Sequence, residues 1–427
     1  MDFSPSLRAQ EWQARLTAFM DRYLLPYNAA WHQAARQGEF PPPFLEDLKT
    51  LAREEGLWNL FLPTLRDDEP GTALSHLDYA PLAEAMGRLP WAAEVFNCNA
   101  PDSGNIELLH LFADDAQRRQ WLVPLMQGEI RSAFAMSEPD VASSDPTNLQ
   151  TTVRREGGQL VINGRKWFIT GAAHPHCRLL IVMCRNEGED DGDRHHGHSM
   201  VLVPIDAPGV ELVRNIPVVH HVSPEGHCEI LLRDVRVPES HLLGVWGAAF
   251  AMAQARLGPG RVHHCMRTIG QCELALEMAA ERTLERKTFG KYLADQSNVQ
   301  EWLAQSRLDI DQARLLVLRT AWMLDHSQDT AAVNLRAQVA AIKVVAARLQ
   351  TQVVDRAMQV FGAMGLSPDT PLAYFWTWGR ALHLMDGPDE VHMRTLARHE
   401  LDKARERMGQ SARYFTTPQQ MQSQPHL

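Results

Sequence analysis

The sequence lacks features that mark several common classes of protein. Its six cysteines are scattered and form no C-x-x-C pair, which argues against a disulfide framework and predicts reduced thiols, mostly in the core. No apolar run reaches membrane-spanning length, and the first residues show no basic-then-apolar signal pattern. We therefore expect a soluble cytoplasmic protein with no membrane partner.

Positive charge is also scarce. The chain has 42 Lys and Arg against 52 Asp and Glu, a formal net charge of -10. Surfaces that bind phosphate backbones are usually basic, so nucleic acid is not an expected partner. The 427 residues are 45% hydrophobic, which is ordinary globular composition with enough apolar material for two or three cores.

The dinucleotide-binding fingerprint is absent as well, because no G-x-G-x-x-G follows a predicted strand. Residues 1–130 show helical periodicity, residues 131–244 contain short β-rich runs, and residues 245–405 form long helical segments before a polar tail, 406–427. This order differs from the strand-helix alternation of a doubly wound fold. It predicts an α+β multidomain protein: an N-terminal helical domain, a central antiparallel β domain and a C-terminal helical domain.

The segment "LMDGPDEVH" (384–392) predicts a turn between two helices. Gly387 relaxes the backbone, and Pro388 suits the start of a new helix. Asp386 would then lie beside a helix N-terminus, where the positive end potential favours an ionised carboxylate. From this stretch alone, an N-cap is favoured over a reactive carboxylate as the interpretation of Asp386.

Three further segments carry polar or aromatic residues in suggestive settings. They are "RSAFAMSEPDVASSD" (131–145), "NGRKWFITGA" (163–172) and "LERKTFGKYLADQ" (284–296). Each has a purely structural explanation. Segment 131–145 can be a capped turn, segment 163–172 a hairpin whose aromatic residues lie in the core, and segment 284–296 a basic helix face exposed to solvent. Taken singly, none of them identifies a site.

Taken together, the motifs closely resemble those of the acyl-CoA dehydrogenase flavoenzymes, over roughly residues 10–405. The matching segments are "AFAMSEP", "WFIT", "LLRDVRVPESHLLG", "ERKTFGK", "QVFGAMG" and "LMDGPDEVHMRTLAR". "DGPDEVH" together with "RLGPGRVHHCMRT" resembles the branch that in animals includes long-chain acyl-CoA dehydrogenases fused to kinase-like domains.

The resemblance implies a C-terminal four-helix bundle and non-covalent FAD, held in a cleft between domains and at a subunit interface. It also implies a homo-oligomer, a dimer or dimer of dimers, that takes an acyl-CoA substrate and passes electrons to an electron-transfer flavoprotein. Ser143, Arg261 and Gly387 are the expected substrate-binding residues. The expected FAD contacts are Phe134, Met136, Ser137, Ser143, Phe168, Ile169, Thr170, Arg286, Phe289, Gln296, Gln359 and Gly362.

In the family a glutamate at the position of Asp386 removes the α-proton, so the resemblance makes Asp386 the catalytic base and Arg261 its active-site arginine. Family members with an alternative base carry Glu just before this arginine, where this chain has Gly260. We expect burial to raise the pKa of Asp386 toward the working pH. The alternative interpretation is that Arg261 is only a charged residue at the start of a helix.

Two other functions remain open. A flavin oxidase on the same fold, such as an acyl-CoA oxidase or an aspartate-using nitroalkane oxidase, fits the same residues. A DNA-associated member of the fold fits less well, because the chain is acidic. "DRHHGHSM" (193–200) could bind a divalent ion, but a solvated hairpin tip explains it equally and the proposed chemistry needs no metal.

Overall fold

The computed structural model describes residues 5–188, 197–223, 225–327 and 333–415. Within them the chain forms helices, then a sheet, then long helices, as the periodicity predicts. This order confirms the three-part α+β architecture.

The N-terminal part contains helices α1 to α8. Serine hydroxyls cap two of them: Ser6 Oγ accepts from the N–H of Ala9 and Ser75 Oγ from the N–H of Asp78, both at 3.0 Å. The helices are Leu7–Phe19 (α1), Asn28–Gln37 (α2), Phe44–Glu54 (α3), His76–Gly87 (α4), Ala92–Val95 (α5), Asp102–Phe112 (α6), Asp115–Gln117 (α7) and Val123–Met126 (α8).

The middle part is one eight-stranded sheet. Its strands are Arg131–Ala135 (β1), Thr152–Glu156 (β2), Gln159–Thr170 (β3), Cys177–Asn186 (β4), His198–Pro204 (β5), Val210–Asn215 (β6), His227–Pro238 (β7) and Leu242–Leu243 (β8). The order is β6-β7-β3-β2-β4-β5-β8, with β1 also paired to β4. Most neighbours are antiparallel, as predicted, whereas β1 and β2 run parallel to β4, so the sheet is mixed.

Strand β4 shows how the sheet joins the rest of the molecule. Leu179 and Ile181 belong to the apolar cluster shared with the N-terminal helices, and Leu180 and Val182 belong to a second cluster on the opposite face. Successive strand residues point to opposite faces, so a continuous apolar run marks a strand buried on both sides.

The C-terminal part is built from long helices. They are Ala249–Glu285 (α9), Ser297–His326 (α10), Val333–Phe361 (α11), Leu372–Leu382 (α12) and Asp389–Glu406 (α13), with a short ribbon of Lys287–Thr288 (β9) and Lys291–Tyr292 (β10) between α9 and α10. Helix α11 packs against α9, α10 and α13, which gives the predicted bundle of long helices, and also against α12.

Helices α4 and α9 cross at unusually close range. A Cβ added at Gly87 would lie 2.1 Å from the backbone oxygen of Arg267, and one at Gly270 would lie 1.8 Å from that of Glu84. Because both obstacles are backbone atoms, only glycine fits at either position. The crossing fixes the middle of α9 against the N-terminal part.

All six cysteines are free and buried, as predicted. Within the described ranges, no helix has the combination of length and apolar character required to cross a bilayer.

Candidate active site

Asp386 lies in the turn between α12 and α13 and does not cap α13. The N-cap of α13 is Pro388, and no side chain makes a capping hydrogen bond there. Asp386 itself has φ of 54°, a left-handed conformation that a non-glycine residue seldom adopts. The helix does begin beside Pro388, as predicted, but the N-cap interpretation of Asp386 is wrong.

Two side chains hold the backbone of this turn. Arg261 Nε donates to the carbonyl oxygen of Asp386 at 3.0 Å, and His392 Nε2 lies 3.1 Å from the same oxygen. The next residue, Gly387, has φ of 98°, and a Cβ there would lie 3.0 Å from His392 Nε2. The turn therefore requires glycine and places Asp386 in one conformation.

A buried ion pair fixes the start of α13. Lys343 Nζ lies 3.1 Å from Asp389 Oδ1, and His383 Nδ1 lies 2.6 Å from Asp389 Oδ2. Only 1% of the Lys343 side chain is exposed, so its charge depends on Asp389 for compensation. This pairing ties α13 to α11 immediately beyond the Asp386 turn.

Burial alone would raise the pKa of Asp386, but nearby groups more than offset it. His264 Nε2 lies 3.7 Å from Asp386 Oδ2, and the guanidinium groups of Arg261 and Arg256 add positive potential, as does Lys343. Together they hold the pKa of the carboxyl below its usual range. The expectation that burial raises the pKa of Asp386 toward the working pH is therefore wrong.

Arg261 lies inside a helix. Helix α9 continues through Gly258-Pro259-Gly260 from Ala249 to Glu285, so the alternative interpretation of Arg261 as a helix-start charge is also wrong. The helix brings Arg261 to the Asp386 turn, although the two residues are far apart in sequence.

Arg256 is a site residue that the motifs did not reveal. Its guanidinium lies 4.2 Å from the ring centroid of Phe134, and its Nε donates to Asn105 Oδ1 at 2.9 Å. Burial raises the pKa of Glu107 to about 8, although the charge of Arg256 opposes that rise. Arg256 thus links Phe134, an expected FAD contact, to the charges around Asp386.

A buried ion pair shapes the "SEP" loop. Glu138 Oε1 accepts from Lys166 Nζ at 2.8 Å, while the same carboxylate accepts backbone N–H groups of Gln150 and Thr151. Lys166 Nζ also donates to the carbonyl oxygen of Met136 at 3.0 Å. The pair therefore sets the path of the loop that carries Met136 and Ser137.

One hydroxyl and one backbone carbonyl of this loop make further local contacts. Ser143 Oγ accepts from the N–H of Glu138 at 3.0 Å, and the carbonyl of Ser137 accepts from the N–H of Trp167 at 3.0 Å. The second contact docks the loop on β3, beside the "WFIT" motif.

A bulge in β3 separates the residues of "WFIT". The register of β3 on β7 shifts between Lys166 and Ile169, and Phe168 in this bulge has φ of 52° and an exposed side chain. Ile169 is buried in the sheet core, so only its backbone is available to a ligand. Thr170 Oγ1 lies 3.0 Å from His227 Nδ1.

His227 connects the strand to the C-terminal helices. Its ring packs at 5.4 Å from Trp378 of α12, the helix that leads into the Asp386 turn. Burial lowers the pKa of His227 to about 4, so the ring is neutral near pH 7. Through His227 the structure places the end of "WFIT" against α12, the helix that ends shortly before "LMDGPDEVH".

The other expected FAD residues lie at a distant end of the bundle. Helix α9 rises about 1.5 Å per residue, so its end beside Arg286 is about 36 Å from Arg261. Phe289 is 102% exposed at the tip of the β9–β10 ribbon. Exposed Gln359 and Gly362 follow at the end of α11, and Gln296 precedes α10.

Sequence reasoning missed His264, Arg256, Lys166, Glu138 and Lys343. One signal could have found His264, because it follows Arg261 at the i,i+3 spacing that places two side chains on one helix face. Arg256 lies on the same helix, whereas Lys166, Glu138 and Lys343 take their places through tertiary contacts between separate elements and leave no local pattern.

No group of three or more His, Cys, Asp or Glu suited to a metal occurs in the part of the chain that the structure describes. Residues 193–196 of "DRHHGHSM" and 416–427 of the polar tail lie outside the described residues.

Three domain models of one family match nearly the whole chain. They are the acyl-CoA dehydrogenase N-terminal domain over residues 7–129, the middle domain over 133–235 and the C-terminal domain over 247–401.

Similar proteins carry the same family name. A probable acyl-CoA dehydrogenase, FadE2 of Mycobacterium tuberculosis, is 50% identical over 94% of this chain and 98% of its own length. Acyl-CoA dehydrogenase family member 11 of Gallus gallus is 45% identical over 93% of this chain, which spans only 51% of that protein. A solved structure from Mycobacterium abscessus, also named as an acyl-CoA dehydrogenase, is 46% identical with a TM-score of 0.88, covering 94% of this chain and 99% of the other.

Proposed function

The chain belongs to the acyl-CoA dehydrogenase family, and on that basis we propose that it converts an acyl-CoA thioester to the 2-enoyl-CoA with FAD as cofactor. Asp386 is the base that removes the α-proton. The observation that carries this assignment is the turn itself: Asp386 has a left-handed backbone, its carbonyl is held by Arg261, and its carboxylate caps no helix. Such conformations persist where the surrounding structure enforces them, and they cluster at functional sites.

The carboxylate of Asp386 is ready to accept a proton. Because its pKa lies below the usual aspartate range, the group is ionised throughout the neutral pH range. Aspartate is shorter than glutamate by one methylene, a difference in reach of roughly 1.5 Å. The left-handed backbone at Asp386 is the feature of this chain that could move the carboxylate toward its substrate.

The backbone of Asp386 can assist the same step. Within the described ranges, the N–H of Asp386 meets no hydrogen-bond acceptor. A donor at this place can polarise the thioester oxygen and so stabilise the negative charge that develops when the α-proton leaves. One residue then supplies both the base and an oxyanion donor.

The chain has residues that fit FAD. Phe168 is exposed from a bulge, Thr170 presents a hydroxyl, and His227 Nε2 is buried without a hydrogen-bond partner among the described residues. These three would face the flavin ring, with Phe134, Met136, Ser137 and Ser143 on the neighbouring loop. Bound FAD supplies the acceptor for the β-hydride, whereas the protein supplies the base, the orientation and the exclusion of water.

The second group of FAD residues supports an oligomer. Arg286 follows the end of α9, about 36 Å along that helix from Arg261, which holds the Asp386 turn. The end of α11 lies at the same end of the bundle, where Arg282 packs on Phe361, so we infer that one FAD does not contact both groups within one chain. The exposed ring of Phe289 and the exposed guanidinium of Arg286 are available to contact another molecule, the guanidinium as a partner for phosphate. We therefore include in the proposal a dimer or dimer of dimers in which this end of the bundle contacts the FAD of a neighbouring subunit.

Flavin analysis and anaerobic reduction test the function. The purified protein should be yellow and should release FAD on denaturation, and acyl-CoA thioesters of graded length should bleach it. We expect the reduced protein to react slowly with oxygen and fast with an electron-transfer flavoprotein. Rapid reoxidation by oxygen would indicate an oxidase instead. Release of FMN, or no flavin, would refute the proposal.

A further inference from the structure

We propose that His264 is a positioning residue for Asp386, holding its Nε2–H toward the carboxylate in a tautomer that Arg267 fixes. This inference rests on the proposed role of Asp386 as the base. Both residues lie in the segment "RLGPGRVHHCMRT", in which the resemblance assigns a role to Arg261 and not to His264 or Arg267.

Helix α9 presents three basic residues at i,i+3 spacing: Arg261, His264 and Arg267. The first holds the carbonyl of Asp386, and the second lies with Nε2 3.7 Å from Asp386 Oδ2. About a quarter of each side chain, 25% for His264 and 26% for Asp386, is exposed. The two groups therefore share a partly open site in which the carboxylate is reachable by a substrate.

The contact between Arg267 and His264 identifies the tautomer. Arg267 Nη2 lies 3.3 Å from His264 Nδ1. A guanidinium can only donate, so Nδ1 must be the acceptor, and a neutral imidazole then carries its proton on Nε2. That is the nitrogen nearest the carboxylate of Asp386.

His264 acts as a neutral dipole at working pH. Burial lowers its pKa to about 4, and the nearby charge of Arg267 acts in the same direction. The N–H dipole of a neutral imidazole stabilises the carboxylate and favours one orientation of it. A charged imidazolium would bind the carboxylate more strongly and so compete with the substrate proton for the base.

Arg267 is itself held in place by the N-terminal helices. Its Nη1 donates to the carbonyl oxygen of Cys98 at 3.3 Å, and its backbone oxygen lies at the α4 crossing, where Gly87 leaves no room for a Cβ. The donor that fixes the tautomer is therefore anchored to a different part of the fold from the turn it influences.

Several other charged or titratable groups surround Asp386. From α9 these are Arg256, Arg261 and Cys265, from α11 Lys343, from the turn and α13 His383, Asp389 and His392, and from α6 Glu107 through Arg256. Among the described residues, His264 is the one basic side chain within ion-pair distance of the carboxylate. Its loss should therefore affect the carboxylate in a way that these more distant groups do not replace.

The first test is the pH dependence of kcat/KM in FAD-loaded wild-type, His264→Leu and His264→Gln proteins. The leucine variant loses the N–H dipole that faces the carboxylate, so the acid limb should move upward by up to about one pH unit. Glutamine can present its Nε2 donor at a similar place, so its acid limb should stay near the wild-type position. Equal acid limbs in wild type and His264→Leu would overturn the inference.

The second test needs no turnover. In FAD-loaded protein with 15N-labelled histidine, the His264 signals are assigned by comparison with His264→Gln, and their shifts report the tautomer. Protonated Nε2 is expected in the wild type, and Arg267→Met should give a mixture of tautomers. A wild-type ring protonated on Nδ1, or an unchanged tautomer in Arg267→Met, would overturn the inference even if the leucine variant fails to fold.

The two tests also separate this inference from the proposed function. If no acyl-CoA reduces the wild-type flavin, the proposed function fails and the role of His264 toward a base fails with it. Alternatively, the wild-type flavin is reduced normally, but His264→Leu leaves the acid limb unchanged and Arg267→Met leaves the tautomer unchanged. In that case only the role proposed for His264 fails.

Discussion

Arg261 donates its Nε–H to the backbone carbonyl of Asp386 at 3.0 Å, joining the middle of α9 to the turn that precedes α13. The arginine therefore acts on the backbone that positions the carboxylate. The geometry explains why a residue in a long helix can control a side chain 125 positions away in sequence.

Arg261→Gln tests whether Arg261 holds the Asp386 turn in the position that catalysis needs. Loss of the guanidinium should let the Asp386 turn relax, and a displacement of about 1 Å could cost up to ~10²-fold in the rate of flavin reduction. Stopped-flow reduction by the best thioester is the measurement. Arg336→Gln, an exposed arginine on α11, is the matched control and should leave the rate unchanged. Equal rates in the two variants would contradict this role of Arg261.

The pH profile of the wild type follows from the charges around Asp386. A carboxyl whose pKa is depressed stays ionised until the pH falls below the ordinary aspartate value of about 4. The base must be ionised to act, so kcat/KM should decline on the acid side only below that value, measured under conditions in which FAD is retained. An acid limb near pH 7 assigned to Asp386 would contradict the arrangement of charges.

Lys166→Met tests the buried pair that shapes the "SEP" loop. The variant leaves Glu138 buried without its cation, which should lower the free energy of unfolding by about 3–5 kcal/mol. The double variant Lys166→Met, Glu138→Gln removes both charges and should recover part of that loss. Denaturant unfolding gives the energies, and a FAD titration shows whether the loop still holds cofactor. A single variant as stable as the wild type would mean that the pair is unimportant.

The sequence predicts well those features that depend on local periodicity. The order of helices and strands, the buried run of β4 and the Asp386-Gly387-Pro388 turn all follow from short-range patterns. The sign of the Asp386 pKa shift could not be predicted, because His264 and Lys343 reach the turn from α9 and α11. Tertiary packing alone decides which groups, charged or neutral, lie near the carboxylate.

The pairing of Glu138 with Lys166 illustrates the same limit. Each residue lies within a recognisable motif, but neither motif shows that Glu138 of the loop and Lys166 of the strand form a buried ion pair. His264 was overlooked for a different reason, since it follows His263 directly, and histidines in an apolar helix are most simply interpreted as packed residues.

Arg286→Ala tests the distant end of the bundle. Loss of a charge-assisted phosphate contact should weaken FAD retention and shift the oligomer toward smaller species. Lys291→Ala, on the same exposed ribbon, is the matched control for a simple change of surface charge. FAD titration and sedimentation velocity are the measurements. If both variants bind FAD and assemble like the wild type, Arg286 is only part of a solvated face.

Asp386→Asn tests the base directly. Asparagine keeps nearly the same shape and can adopt a left-handed backbone as readily as aspartate, so folding and FAD content should be preserved. Thermal stability should fall modestly, because the amide no longer balances the positive charges of Arg256, Arg261 and Lys343. The amide cannot take up a proton, so flavin reduction should fall by at least the ~10²-fold typical of losing a positioned base. Asp386→Glu should be intermediate, because it restores a carboxylate but places it one methylene too far. Wild-type reduction rates in Asp386→Asn would show that another group removes the proton.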